Sequence, residues 1–237
     1  MKKLIPVALF LASTAFAQTQ PVRELYRVHF FKAAPGKLPD LLEAYRNAPV
    51  PDNVTPRPMM FRHMLGDDWD VMVIYPLGAK ASLDANPAPL PENIRRFRER
   101  VMADYAWHSD VYFSGPPLAE VQKALALPKD AASGGVYVAA YYTALAGHHK
   151  ALEDVLKRDL ATARPGSTLL FEHVQGAPWE YLVFYRYASW LEWAAAESDS
   201  SADDRARAQG FADSEDVGLQ LRMHAGSHHD NVVKREQ

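Results

Sequence analysis

Apolar and polar positions along the chain fall into two long blocks that read alike. Residues 25–33 and 136–144 are rich in aromatic and β-branched side chains and predict strands. A Pro-Gly turn at 35–36 and an Ala-Gly turn at 146–147 follow them. Apolar residues then return at helical spacing, as Leu38, Leu41, Leu42 and Tyr45, and as Leu152, Val155, Leu156 and Leu160. The Pro-rich stretch 49–58 and Arg164-Pro165-Gly166 end those helices. Hairpins are predicted at 61–75 and 171–185, with Gly66 and Gly176 in their turns, and a short helix follows each, around 79–85 and 189–197. Residues 92–107 set Ile94, Phe97, Val101 and Tyr105 on one stripe and Arg95, Arg96, Arg98 and Glu99 on the other, an amphipathic helix. A last strand closes each block, near 110–114 and 218–225.

The two blocks are an internal repeat. FRHMLGDDWDVMVIY (61–75) and FEHVQGAPWEYLVFY (171–185) share six of fifteen positions without a gap, where composition alone gives about one. The shared pairs are Phe61/Phe171, His63/His173, Gly66/Gly176, Trp69/Trp179, Val73/Val183 and Tyr75/Tyr185, and Asp70 meets Glu180. Each block has the order β-α-β-β-α-β, a ferredoxin-like unit. The expected fold class is therefore α+β, with two tandem ferredoxin-like units packed sheet to sheet, each covering the other's bare face. Domain limits follow as a first repeat at 18–115, a linker at 116–134, a second repeat at 135–226 and a disordered tail at 227–237.

The element order and duplication resemble the dimeric α/β-barrel superfamily in its tandem, intramolecular form. The strand–Pro-Gly–helix opening and the G-x-x-W-[DE] hairpin are most similar to its NIPSNAP-like and antibiotic-biosynthesis-monooxygenase-like branches. The resemblance implies a cofactor-free oxygenase or isomerase, with a mostly apolar cavity and a few polar residues, often one His and one Arg.

Composition narrows the setting. Lys2 and Lys3, the apolar run Leu4 to Phe16 and the small-x-small Ala15-Phe16-Ala17 make residues 1–17 a cleavable export signal, with Gln18 the expected mature N-terminus. The expected location is periplasmic or secreted. The run is shorter than a bilayer span, so no membrane association is expected after cleavage. The chain has no cysteine and 48% hydrophobic residues, so its stability must come from its core and not from disulfides. A net charge of -3 argues against a nucleic-acid partner, which needs a positive face. The expected partner is a small molecule, and the expected state a monomer or homodimer.

Candidate chemistry is sparse. No Walker loop, G-x-S-x-G elbow, H-E-x-x-H or strand-linked G-x-G-x-x-G is present. No metal is expected, since thiolate ligands are absent and the adjacent pairs His148-His149 and His228-His229 lack zinc-site spacing. His63 and His173 share one repeat position and could meet across a cavity, to bind a metal or a haem, the one cofactor named, or to shuttle protons. The alternative is that each fixes its hairpin through a backbone bond, with Trp69 or Trp179 packed beside it. Differences between the halves point to function more directly: Arg27 and His29 share one strand face, where the second half has Val138 and Ala140. Arg27, His29 and His63 are the candidates for orientation and proton transfer. His173, Tyr75, Tyr142, Trp69 and Trp179 are the candidate ligand contacts. Arg62 and Glu172 face each other across the duplication as a candidate ion pair, with solvation of both the alternative. The competing reading of the whole chain is a non-catalytic periplasmic ligand-binding or stress-associated module.

Overall fold

Both faces of the first strand, β1 (Glu24–Ala33), are buried. Tyr26, Val28 and Phe30 point to one side and join an apolar cluster drawn from both halves of the chain. Phe31 and Ala33 point to the other and join a cluster with Leu41, Leu42 and Val101. A strand covered on both sides needs apolar residues at nearly every position, which is why 25–33 reads as an almost continuous apolar run.

The computed structural model describes residues 22–49, 58–79, 89–125, 135–163, 166–196 and 198–236. In the first half β1 is followed by α1 (Leu38–Arg46), β2 (Met59–Leu65), β3 (Val71–Gly78), α2 (Glu92–Met102), β4 (Tyr105–Gly115) and α3 (Leu118–Ala124). The second half holds β5 (Val136–Ala144), α4 (His149–Thr162), β6 (Thr168–Gln175), β7 (Tyr181–Tyr187), α5 (Trp190–Ala196), α6 (Ala202–Ala208), α7 (Ser214–His224) and β8 (Ala225–Arg235). The fold is α+β, and its eight antiparallel strands close into one barrel in the order β1-β3-β2-β8-β5-β7-β6-β4. Strand order within each half is the same. The expected export signal at 1–17, most of the helix at 79–85 and linker residues 126–134 lie outside the described residues.

The two halves were expected to pack sheet to sheet as one α/β barrel; they close a single barrel by joining edge to edge. β2 pairs with β8, His63 opposite Val233, and β6 pairs with β4, His173 opposite Phe113. These two seams leave no strand edge bare. The interior they enclose is filled by Tyr26, Phe30, Phe61, Phe113, Phe171 and Phe184 among others. Part of the expected linker is a structural plug: Val121 and Ala124 of α3, with Leu125, belong to that interior cluster, and Tyr137 donates a hydrogen bond to the Leu125 carbonyl at 3.0 Å.

The tail at 227–237, expected to be disordered, is strand β8 through Arg235, and the strand expected near 218–225 is mostly α7. β8 escapes a sequence reading because its first residues, Gly226 to Asp230, are exposed and polar. Its buried part is held from the first half: fully buried Asn231 accepts from the Asp67 amide at 2.8 Å and donates to the Asp67 carboxylate at 3.0 Å. Residues 92–107 divide similarly, since the helix ends at Met102 and Tyr105 opens β4. Arg62 and Glu172 are not a pair: Arg62 lies 3.8 Å from Glu236, and Glu172 lies 3.8 Å from His149.

Two measurements check this architecture. Deleting residues 227–237 removes a barrel strand and opens two edges, so the chain should lose its cooperative thermal transition; a disordered tail would leave it unchanged. Gly176 has φ +106°, and a Cβ there would stand 2.4 Å from the Asp110 carbonyl oxygen, whereas Gly36, φ +79°, has open space around it. Gly176→Ala should therefore cost about 2–4 kcal/mol by strain plus clash, and Gly36→Ala about 1 kcal/mol from the left-handed backbone alone, read by denaturant unfolding.

Candidate functional site

On the outer face of β1 the side-chain alternation places Leu25, Arg27, His29 and Phe31 toward the helices. Pairing with β4 sets His29 opposite Asp110 and Phe31 opposite His108, and pairing with β3 sets Arg27 opposite Tyr75. α1 brings Tyr45 over this face, and α2 brings Phe97, Arg98, Val101 and Met102. Together with Tyr105 these residues line a cavity of about 60 Å³, room for a few waters or the reacting end of a small molecule. This cavity lies between sheet and helices, on the outside of the barrel, and not in the interior shared by the two halves where one was expected.

The polar groups form a chain. His29 Nδ1 lies 3.1 Å from Asp110 Oδ1, and its Nε2 lies 3.2 Å from the Tyr105 hydroxyl. An ionised carboxylate only accepts, so Nδ1 carries the proton and donates, and Nε2 accepts from Tyr105. The Tyr105 and Tyr45 hydroxyls are in turn hydrogen-bonded to each other. Burial lowers the His29 pKa below its ordinary value, against the pull of Asp110 and with help from the charges of Arg27 and His108. Burial opposes the charge on Asp110, but the His29 hydrogen bond, the charge of His29, and then Arg27 and His108 hold its carboxyl below the usual range. Burial first, then neighbouring tyrosines, push the Tyr45 hydroxyl far up; burial also raises that of Tyr105. The result is a neutral imidazole backed by a carboxylate, with its second nitrogen facing a replaceable hydroxyl. Arg27 stands beside it, its guanidinium carbon 4.3 Å from the Tyr75 ring centre and its Nε 3.6 Å from Asp110. That Nε is buried with no hydrogen-bond partner among the described residues.

The expected site residues thus separate. Arg27, His29 and Tyr75 come together. His63 and His173 do not join them: both lie on the two seams, with His63 packed 4.6 Å from the Trp69 ring and His173 Nε2 accepting the Ala177 amide at 3.2 Å. His173 Nε2 is thus occupied, whereas His63 Nε2 is buried with no hydrogen-bond partner among the described residues. Trp69 and Trp179 pack on Phe30 inside the barrel, and Trp179 stacks on Tyr141 at 4.5 Å. Asp70 and Glu180 accept the amides that end β1 and β5, at Ala33 and Ala144. The G-x-x-W-[DE] hairpin is scaffold in both halves. Tyr142 sits under the helices of the second half, stacked on His228, far along the barrel from Arg27.

Sequence reasoning missed Asp110, His108, Tyr105 and Tyr45. The signal that could have found them is the repeat itself. Asp110 and His108 face β1 as Asp230 and His228 face β5, so a His-x-Asp recurs on the last strand of each half. In the second half Ala140 stands opposite Asp230, where the first half has His29. Because 105–107 reads as the end of a helix, the register that aligns these pairs is hidden in one dimension.

No helix among the described residues is long and apolar enough to cross a membrane. No family model matches the chain, and no curated protein sequence matches it. Solved structures do resemble it. One is a candidate monooxygenase from Lactobacillus acidophilus NCFM, with TM-score 0.57 and 10% identity, covering 91% of this chain and 95% of the other. Another is a candidate monooxygenase from Fusobacterium nucleatum subsp. nucleatum ATCC 25586, with TM-score 0.60 and 8% identity over 91% and 93%. A third is an anthrone oxidase-like protein, with TM-score 0.56 and 12% identity over 90% and 91%. At these identities the likeness is one of fold: this chain has the α+β architecture of those proteins.

Proposed function

We propose that the protein is an exported small-molecule-binding barrel of tandem ferredoxin-like build. Its reaction is that of a cofactor-independent oxygenase or isomerase, acting on a small apolar or aromatic substrate with an ionisable oxygen. One observation carries the reading: the only Arg-x-His of the first strand meets a carboxylate and three tyrosines in one cavity, and the second half lacks both residues. The substrate's acidic group takes the place of the Tyr105 hydroxyl at His29 Nε2 and gives up its proton there. Asp110 stabilises the imidazolium that forms, and Arg27 holds the enolate or phenolate oxygen. An isomerase then returns the proton to another carbon; an oxygenase lets the electron-rich carbon react with dioxygen. Phe97 and Met102 of α2 border the cavity and would carry the apolar part of the ligand. The neighbours named as candidate monooxygenases and anthrone oxidase-like favour the oxygenase over the isomerase. A binding module without turnover is the second reading, favoured by the small volume of the cavity.

The experiment is a screen of phenols, anthrone and enolisable ketones against metal-free protein, following oxygen uptake and ligand fluorescence. His29→Gln should lower turnover at least about 100-fold, the scale of a lost general base. Arg27→Met should weaken binding of the anionic ligand at least about tenfold, since a hydrogen bond to a charged group is worth about 1.5–3 kcal/mol. Both variants should keep the wild-type melting temperature within a few degrees. Full activity in either variant overturns the assignment of that residue, and binding with no turnover on any probe selects the binding module.

A further inference from the structure

The cavity holds more than the proton-transfer pair. His29, His108 and Asp110 each offer one ligand atom, and these atoms all lie within 4.8 Å of one another. We infer that these three side chains bind a divalent transition metal as a two-histidine, one-carboxylate centre, and that metal and the proton on His29 exclude one another. The inference rests on the proposed function only in sharing its cavity.

The geometry of the edges supports it. Metal–nitrogen and metal–oxygen bonds of about 2.0–2.2 Å place two ligands about 3.0–3.4 Å apart on one ion. His29 Nδ1 and Asp110 Oδ1 stand 3.1 Å apart, within that span, so once the Nδ1 proton has left, an ion to one side of the line between them can reach both. His108 Nδ1 is 3.9 Å from the other Asp110 oxygen, Oδ2, and its side chain is 38% exposed, which leaves it free to swing toward the ion. The backbone is already fixed for this: the ladder holds His29 directly opposite Asp110, and His108 two residues along the same strand face. Three protein ligands on one side leave the remaining positions open toward the cavity.

Charge decides which ion. Arg27 stands 3.6 Å from Asp110 and opposes a further cation. With one carboxylate and two imidazoles, the donor set suits zinc, iron, cobalt, nickel or copper over magnesium or calcium. Arg27, which lines the same cavity, then favours an anionic oxygen donor as an additional ligand of the ion. The second half supplies an internal comparison. His228 and Asp230 occupy the equivalent positions on β8, but Ala140 replaces the third ligand, so no such centre forms there.

The test titrates zinc chloride, and separately cobalt chloride, into chelator-treated full-length protein by calorimetry. One equivalent should bind, with magnesium chloride giving no heat. His108→Ala and Asp110→Asn should each weaken binding at least tenfold, while His228→Ala should leave it unchanged. Cobalt should also broaden the His29 and His108 ring signals in wild-type NMR spectra, a readout that needs no variant to fold. Absence of zinc binding, or equal affinity in His108→Ala, overturns the inference. Turnover in metal-free protein without any zinc site removes this inference and leaves the proposed function standing. A zinc site in a protein that neither binds nor converts any organic probe does the reverse.

Discussion

A closed sheet must cover two faces, and everything else in this molecule follows from how that is done. The inner face is filled by aromatic side chains from both halves, Phe30 and Phe61 meeting Tyr141, Tyr137 and Phe184 across the duplication. That packing closes only because β2 joins β8 and β6 joins β4, so neither half could bury its own inner face alone. Close-packed interiors of this kind leave no room for a ligand. The cavity consequently lies on the outer face, where a few helices must cover a wide curved surface.

The two halves handle that outer face differently. In the second half α4, α6 and α7 pack together and over the sheet, and Tyr185 buries its hydroxyl against Asp159. In the first half the cover is α1 and α2, and beneath them β1 carries Arg27 and His29 where β5 carries Val138 and Ala140. Burying an arginine, a histidine and an aspartate together is costly unless each is partnered. Asp110 is hydrogen-bonded to His29 and lies 3.6 Å from Arg27 Nε, which makes no hydrogen bond among the described residues, and all three residues line the cavity. A scaffold with no ligand to hold would gain from replacing the trio with apolar residues, as its own second half does at two of the three positions.

The strongest sequence signal proved to be structural. His63, Trp69 and Asp70 match His173, Trp179 and Glu180 because both hairpins solve the same problem. A tryptophan fills the barrel, and an acid accepts the amide where the neighbouring strand ends. Gly66 and Gly176 sit in turns that press on the opposite half's last strand, with no space for a Cβ. Identity between duplicated halves marked shared packing, and difference between them marked the residues that line the outer cavity.

The α+β class, the repeated element order and the Arg27–His29 strand face were legible in the chain, because alternation and helical spacing are local properties of short segments. What local pattern could not contain was register. Whether Asp110 meets His29, whether the polar run before Asn231 closes the barrel, and which side of β1 faces a cavity all depend on partners 81 to 164 residues away. Those are set only when hydrogen-bonded strands from both halves align and one face fills completely, leaving the other to hold the cavity.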